Sequence, residues 1–176
     1  DIPLEINKSD FPKEIEIRGE VFIKKNDFLK ISENFANPRN AASGSLRQKD
    51  HNVTSKIPLN FTAYTFGFIS GNKFRCQSDF LTSLQSWGFQ VNKENKVINS
   101  INELIKFHKK FENKRFDLDY DVDGLVYKVN DINLQNRLGF TSNSPRWAIA
   151  HKFSAYSAFT KIINIDIQVG RTGALT

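Results

Sequence analysis

Methionine is absent from this 176-residue chain, and cysteine occurs once, at Cys76. A lone thiol closes no internal disulfide. Histidine is nearly as scarce, and His51, His108 and His151 lie too far apart to show the close ligand spacing of a zinc site, so no metal ligands are expected. No apolar run approaches the roughly 18 residues that a membrane-spanning helix needs. The opening DIPLEINKSD lacks the basic-then-apolar pattern of a secretory signal. Neither GxGxxG after a strand nor GxxxxGK[ST] occurs, which removes the Rossmann and P-loop routes to a nucleotide site. Ser43-Gly44-Ser45 has no partnered histidine, so a serine nucleophile is not expected. His51 reads as a surface residue and His108 as a helix-face residue, and His151 points away from its neighbour Lys152, without a catalytic role.

What is present describes a basic globular chain. Hydrophobic residues make up 39%, with 16 Phe, enough for one domain or one domain and the beginning of another. Lys and Arg number 25 against 19 Asp and Glu, a net charge of +6, which favours a polyanionic partner. The chain starts at Asp1, and an excerpt from a longer protein is expected.

Periodicity places the elements. From Glu14 to Ile23 the chain alternates, with Ile15, Ile17, Gly19, Val21 and Ile23 on one face and Glu16, Arg18 and Glu20 on the other. That is a half-buried strand with a charged face. Asn37-Pro38 reads as N-cap and first helical residue of a helix through PRNAASGSLRQ, with Arg39 in its first turn. The aromatic and β-branched run from Pro58 to Ser70 predicts a strand or a bent strand pair. Ser78 is read as the N-cap of a helix ending at Trp87, with Gly88 just beyond. Ser100 to Glu103 reads as a capping box opening a helix with Ile101, Leu104, Ile105, His108 and Phe111 on one side. DGLVYKVN (Asp123 to Asn130) is a strand, Asp131 caps a short helix stopping at Gly139, and RWAIAHKF is a further strand. Lys161 to Val169 alternates again, and VGRTGALT resembles a linker or the entry into another domain. Without a regular βαβ rhythm, the fold class is α+β with largely antiparallel sheets.

Three strands carry an ionisable residue among apolar neighbours: Glu20, Lys128 and Lys152. Alternation puts Lys128 on the face of Val126, and Lys152 on that of Ala148 and Ala150. A buried ammonium must be neutralised, paired or ligand-bound, although a single lysine of this kind more often snorkels to water. Phosphate suits such a point cation, and the Glu20 carboxylate accepts from a ribose hydroxyl or an amine. Together these residues suggest a nucleotide. Arg39 and Arg47 offer phosphate contacts near a helix start or, equally, a solvated helix face. Asp117, Asp119, Asp121 and Asp123 alternate with Phe116, Leu118, Tyr120 and Val122, and read as a solvated strand edge rather than a metal site.

EIRGEVF, FANPRNAASGSLRQ, DGLVYKVN and SPRWAIAHKF, in this order, closely resemble the adenylation domain of bacterial NAD-dependent DNA ligases. The resemblance implies the nucleotidyltransferase fold of DNA ligases and capping enzymes over residues 1–167, the larger C-terminal part of the domain. Residues 168–176 are then a linker or the start of an OB-fold domain. It implies a reaction in which a lysine attacks the adenylyl phosphorus of NAD, and AMP passes to the 5′-phosphate of a nick before sealing. Glu20 would hold the ribose, Lys128 and Lys152 would neutralise phosphoryl charge, and Arg39, Arg47 and Arg115 would contact phosphate or DNA. Asp123 would assist Mg²⁺ or a lysine. The implied partners are NAD, Mg²⁺ and nicked duplex DNA, and the implied setting is a monomer at the nucleoid in the bacterial cytoplasm.

The resemblance also sets a limit. The family's nucleophile lies in KxDG, and the one DG here, Asp123-Gly124, has Asp121 two places before it. The chain alone is expected to be inactive. Two other readings stay open: an ATP-dependent ligase or capping enzyme, against which the NPRNAASGSLRQ and WAIAHKF forms argue, and a non-catalytic nucleic-acid-binding relic.

Overall fold

The alternation beginning at Glu14 produces a strand, β1 (Ile15–Phe22), in which half-buried and exposed residues succeed one another up to Val21. A computed structural model describes residues 2–71, 74–155 and 159–176. Within them β1 pairs antiparallel with β2 (Asn60–Ile69), and β3 (Gly124–Lys128) with β4 (Ala148–Lys152). The helices are α1 (Lys25–Leu29), α2 (Pro38–Leu46), α3 (His51–Thr54), α4 (Gln77–Ser86), α5 (Ile101–Lys114) and α6 (Ile132–Leu138), with a 3₁₀ turn at Ser32–Asn34. The architecture is α+β with small antiparallel sheets, as the sequence pattern predicts.

The core sits on the apolar face of the first strand pair. Ala63, Phe80, Leu84 and Trp87 are buried there, with Ile15, Ile17, Phe61 and Phe66 packed around them. The aromatic rings meet edge to face, Phe66 and Phe80 at 4.8 Å and Phe11 and Trp87 at 4.9 Å between centroids, the geometry that ring quadrupoles favour. A second cluster joins Ile23 to Ala41 and Ala42, whose small side chains let α2 approach β1 closely. The charged face of β1 is left outward, carrying Glu16, Arg18 and Glu20.

The β1–β2 register is not uniform. Gly19 faces Ala63 and Arg18 faces Thr65, so Tyr64 has no partner in β1 and β2 bulges at that residue. The inward set of β2 accordingly shifts from Phe61 and Ala63 to Phe66. Gly19 is required here, because a Cβ would run into the Phe61 ring and lie 2.5 Å from the Thr62 carbonyl oxygen.

Several boundaries differ from the sequence reading. Cys76, not Ser78, occupies the N-cap of α4; the Ser78 N–H is instead taken by Asn130 Oδ1 at 3.0 Å, a cap supplied from more than fifty residues away. Asn37 caps α2 as predicted, accepting from the Asn40 N–H at 2.8 Å, but the helix closes at Leu46 with Arg47 as its C-cap. The Ser100 hydroxyl accepts from the Glu103 N–H, while the Glu103 carboxylate pairs with Lys96 at 2.7 Å. On α5 the predicted stripe buries His108 and Phe111 and half-buries Leu104, yet leaves Ile101 and Ile105 exposed.

The acidic run from Asp117 is a turn segment rather than a strand edge. It folds onto the start of α1, where the Lys25 N–H donates to the Asp119 carbonyl at 2.6 Å and Lys25 Nζ lies 3.6 Å from Asp121. Lys161 to Val169 forms no strand despite its alternation; Ile163, Ile165, Ile167 and Val169 are exposed, and Val169 makes an isolated antiparallel bridge to Leu175. Residues 168–176 fold back on themselves through mutual backbone bonds between Gln168 and Thr176. No helix among the described residues is long and apolar enough to cross a membrane.

Candidate active site

The strand DGLVYKVN owes its place to its last residue. The Asn130 carbonyl accepts from the Gln77 N–H at 2.7 Å and its side chain caps Ser78, fastening the end of β3 to the start of α4. The 3.4 Å rise per residue of an antiparallel strand then fixes where Lys128 stands. In the β3–β4 register Lys128 faces Ala148, Val126 faces Ala150 and Gly124 faces Lys152. Residues directly opposite share a face, so both lysines rise from the same side of this pair, separated by small side chains.

Lys128 is half-buried. Its Nζ donates to the Tyr64 carbonyl oxygen at 3.1 Å and lies 4.6 Å from the centroid of the Tyr64 ring, a cation–π contact. Thr62 stands opposite Glu20, and Tyr64 is two residues further along β2 on the same outward side. Lys128 thereby lies against β2 two residues from Thr62, the cross-strand partner of Glu20.

Burial lowers the Lys128 ammonium from the ordinary lysine value of 10.5 to about 8. Between those two pH values the unfolded chain still holds the proton that the folded chain has released, so this group makes the fold more stable as pH rises through the window. We expect the urea midpoint to rise from pH 7.5 to pH 9.5 by more in the native protein than in Lys128→Met. Equal changes in the two proteins would contradict this environment for Lys128.

Lys152 is more open. Its Nζ donates to Asp123 Oδ2 at 2.6 Å, with both side chains largely exposed. That hydrogen bond holds the Asp123 carboxyl below the usual carboxylate range, helped to a smaller degree by the charge of Arg39. Arg39, in the first turn of α2, is thus near enough for its charge to be felt at Asp123. Arg47 bonds back onto its own helix, Nε to the Ser43 carbonyl at 3.2 Å. Arg115, at the C-terminus of α5, donates to the Ser154 carbonyl at 3.3 Å and lies 5.3 Å from the Phe153 ring, while Glu112 accepts from the Ser154 N–H. It clamps the chain leaving β4. His151 lies on the other face of the pair, stacked on His108 at 3.7 Å and hydrogen-bonded to the Tyr127 hydroxyl.

Four residues at this site escaped the sequence reading. Tyr64 was hidden within an aromatic run whose pattern gives no sign of the bulge. Gln77 and Gln135, both buried, reach the acceptor that Lys128 uses through hydrogen bonds: Gln77 Nε2 donates to the Tyr64 carbonyl at 3.0 Å, and Gln135 Nε2 to Gln77 Oε1 at 3.2 Å and to the Val129 carbonyl at 2.7 Å. Asn130, the fourth, was in view at the end of the motif, but its helix-capping role depends on a distant segment. The two ammonium groups on one face of the β3–β4 pair are of the chemical type that suits phosphate.

Comparison with known proteins decides the family. Residues 1–156 match the family model described as the NAD-dependent DNA ligase adenylation domain. The chain belongs to the NAD-dependent DNA ligase adenylation-domain family. Over its whole length it is 61% identical to the DNA ligase of Pelagibacter ubique, 50% to that of Bartonella tribocorum and 48% to that of a Chelativorans species. In each case the chain spans 26% of the relative. The matched residues include both lysine-bearing strands, β3 and β4.

Proposed function

We propose that this chain is part of an NAD-dependent DNA ligase that seals nicks in duplex DNA through enzyme-AMP and DNA-adenylate stages. Lys128 and Lys152 provide the nucleotide and phosphate contacts. The observation that carries this reading is the shared face of those lysines on β3 and β4, one held over Tyr64 and the other beside Asp123. In this reading residues 1–167 are the larger part of a nucleotidyltransferase fold, and 168–176 lead toward an OB-fold domain.

Each residue has a task set by its chemistry. As the bond from phosphorus to the departing nicotinamide mononucleotide breaks, negative charge grows on the phosphoryl oxygens, and Lys128 and Lys152 offset it. Asp123 keeps Lys152 from swinging away between turnovers. Glu20 accepts from the ribose hydroxyls, and the exposed Tyr64 ring gives the adenine an aromatic partner. Arg39, Arg47 and Arg115 bind phosphates, with Arg115 also securing the end of β4. Among the described residues no three carboxylate, imidazole or thiol groups cluster as metal ligands. Mg²⁺ would accompany the nucleotide's phosphates and screen their charge, with Asp123 the carboxylate that would assist it or Lys152. The protein acts as a monomer in the bacterial cytoplasm.

The test is a mass measurement. The full-length protein incubated with NAD and Mg²⁺ is expected to gain one adenylyl group, and the 176-residue chain, which has no KxDG, none. Modification by ATP but not by NAD would overturn the cofactor assignment, and modification by neither would favour a non-catalytic nucleic-acid-binding module.

A further inference from the structure

Lys128 meets a conflict that the rest of the site does not. Its ammonium is bound to the Tyr64 carbonyl, yet the proposed reaction needs that ammonium at a phosphate oxygen. A carbonyl left without a donor in a half-buried place carries a desolvation penalty that would oppose the move. The Tyr64 oxygen has a second donor, Gln77 Nε2 at 3.0 Å. Gln77 is itself 5% exposed and is held in orientation by Gln135, 6% exposed, which donates to Gln77 Oε1 and to the Val129 carbonyl one residue beyond Lys128.

We propose that Gln77, oriented by Gln135, is a positioning residue for the reaction: by satisfying the Tyr64 carbonyl independently, it lets Lys128 leave that oxygen for the nucleotide phosphate. This inference rests on the ligase reading. The amide orientations follow from the same pattern, because the Tyr64 and Val129 oxygens can only accept, so both must meet the NH₂ ends of the glutamines. An apolar residue at either position would serve the packing equally well. It would leave the carbonyl dependent on Lys128.

A double-mutant cycle tests the idea in the full-length ligase. Gln77→Met keeps the side chain's length and removes the donor. It is expected to slow adenylyl transfer from NAD by roughly tenfold, the scale of one unsatisfied buried carbonyl. In Lys128→Ala the same change should have little further effect, since the residue it serves is gone. A structural role alone would slow both backgrounds equally, and that result would overturn the proposal. A second signature needs no turnover: with Gln77 removed, Lys128 alone holds the Tyr64 oxygen, so the Lys128 ¹³Cε resonance should titrate at higher pH than in the native protein. An unchanged titration would also overturn it. Should Gln77→Met fail to fold, Gln135→Met carries both measurements, with a smaller expected slowing. Failure of the native protein to react with NAD would count against the ligase reading, while the titration would still decide the role of Gln77.

Discussion

Lys128→Ala in the full-length ligase is expected to lower nick sealing by about 10²–10³-fold, the scale lost when one preorganised charge-stabilising donor is removed from an active site. The size of the effect follows from where the ammonium lies. Half-buried against the Tyr64 ring, with its pKa lowered to about 8, Lys128 works in a medium where a charge is poorly screened. Lys152 should matter less. Its ammonium and the Asp123 carboxylate are both largely exposed, and pairs of this kind contribute little in water. Arginine is not expected to rescue position 128, because a delocalised guanidinium does not reproduce the compact point charge that the ammonium presents. The measurement is single-turnover AMP transfer and sealing on a nicked duplex. Native-like rates for Lys128→Ala, in a protein that still gains its adenylyl group from NAD, would remove Lys128 from the catalytic arrangement.

How much of this was legible in the sequence depends on how local each cause is. Period-2 alternation and near-neighbour capping predicted β1, β3, β4 and the cap at Asn37, because each is settled by residues within a few positions. The shared face of Lys128 and Lys152 was half visible. Each strand's own alternation placed its lysine among small neighbours, but only the register joins the two. What the sequence could not show was set by distant segments. The Ser78 N–H at the start of α4 is satisfied by Asn130 from a distant segment, the bulge that turns Tyr64 toward Lys128 arises from a mismatch between β1 and β2, and the two buried glutamines look in the sequence like any polar helical residue. Alternation also misled twice, at the acidic run and at Lys161 to Val169, since a pleated pattern becomes a strand only where another strand lies beside it to take its hydrogen bonds.

Gly124, the glycine of the DG pair, offers the sharpest test of the link between fold and site. A Cβ there would stand 2.5 Å from the His151 carbonyl oxygen and 2.8 Å from Lys152 Cα, both backbone atoms that cannot turn aside. Gly124→Ala must therefore push β3 and β4 apart at the end where Gly124 faces Lys152. That shift strains the Phe153 N–H bond to the Asp123 carbonyl and the Lys152–Asp123 contact together. We expect a stability loss of about 1–3 kcal/mol, the range for overpacking a close contact. We also expect a larger fractional loss of AMP transfer than stability alone would give, since Lys152 no longer stands across from Lys128's strand in register. Gly44→Ala is the matched control: nothing lies within 4 Å of its Cβ position, inside α2, so the same added methyl should stabilise by about 0.5–1 kcal/mol. Urea unfolding and AMP transfer measured side by side separate the two. If Gly124→Ala were as harmless as Gly44→Ala, β4 could not lie as close to β3 as the site requires, and the common face of the two lysines would lose its structural basis.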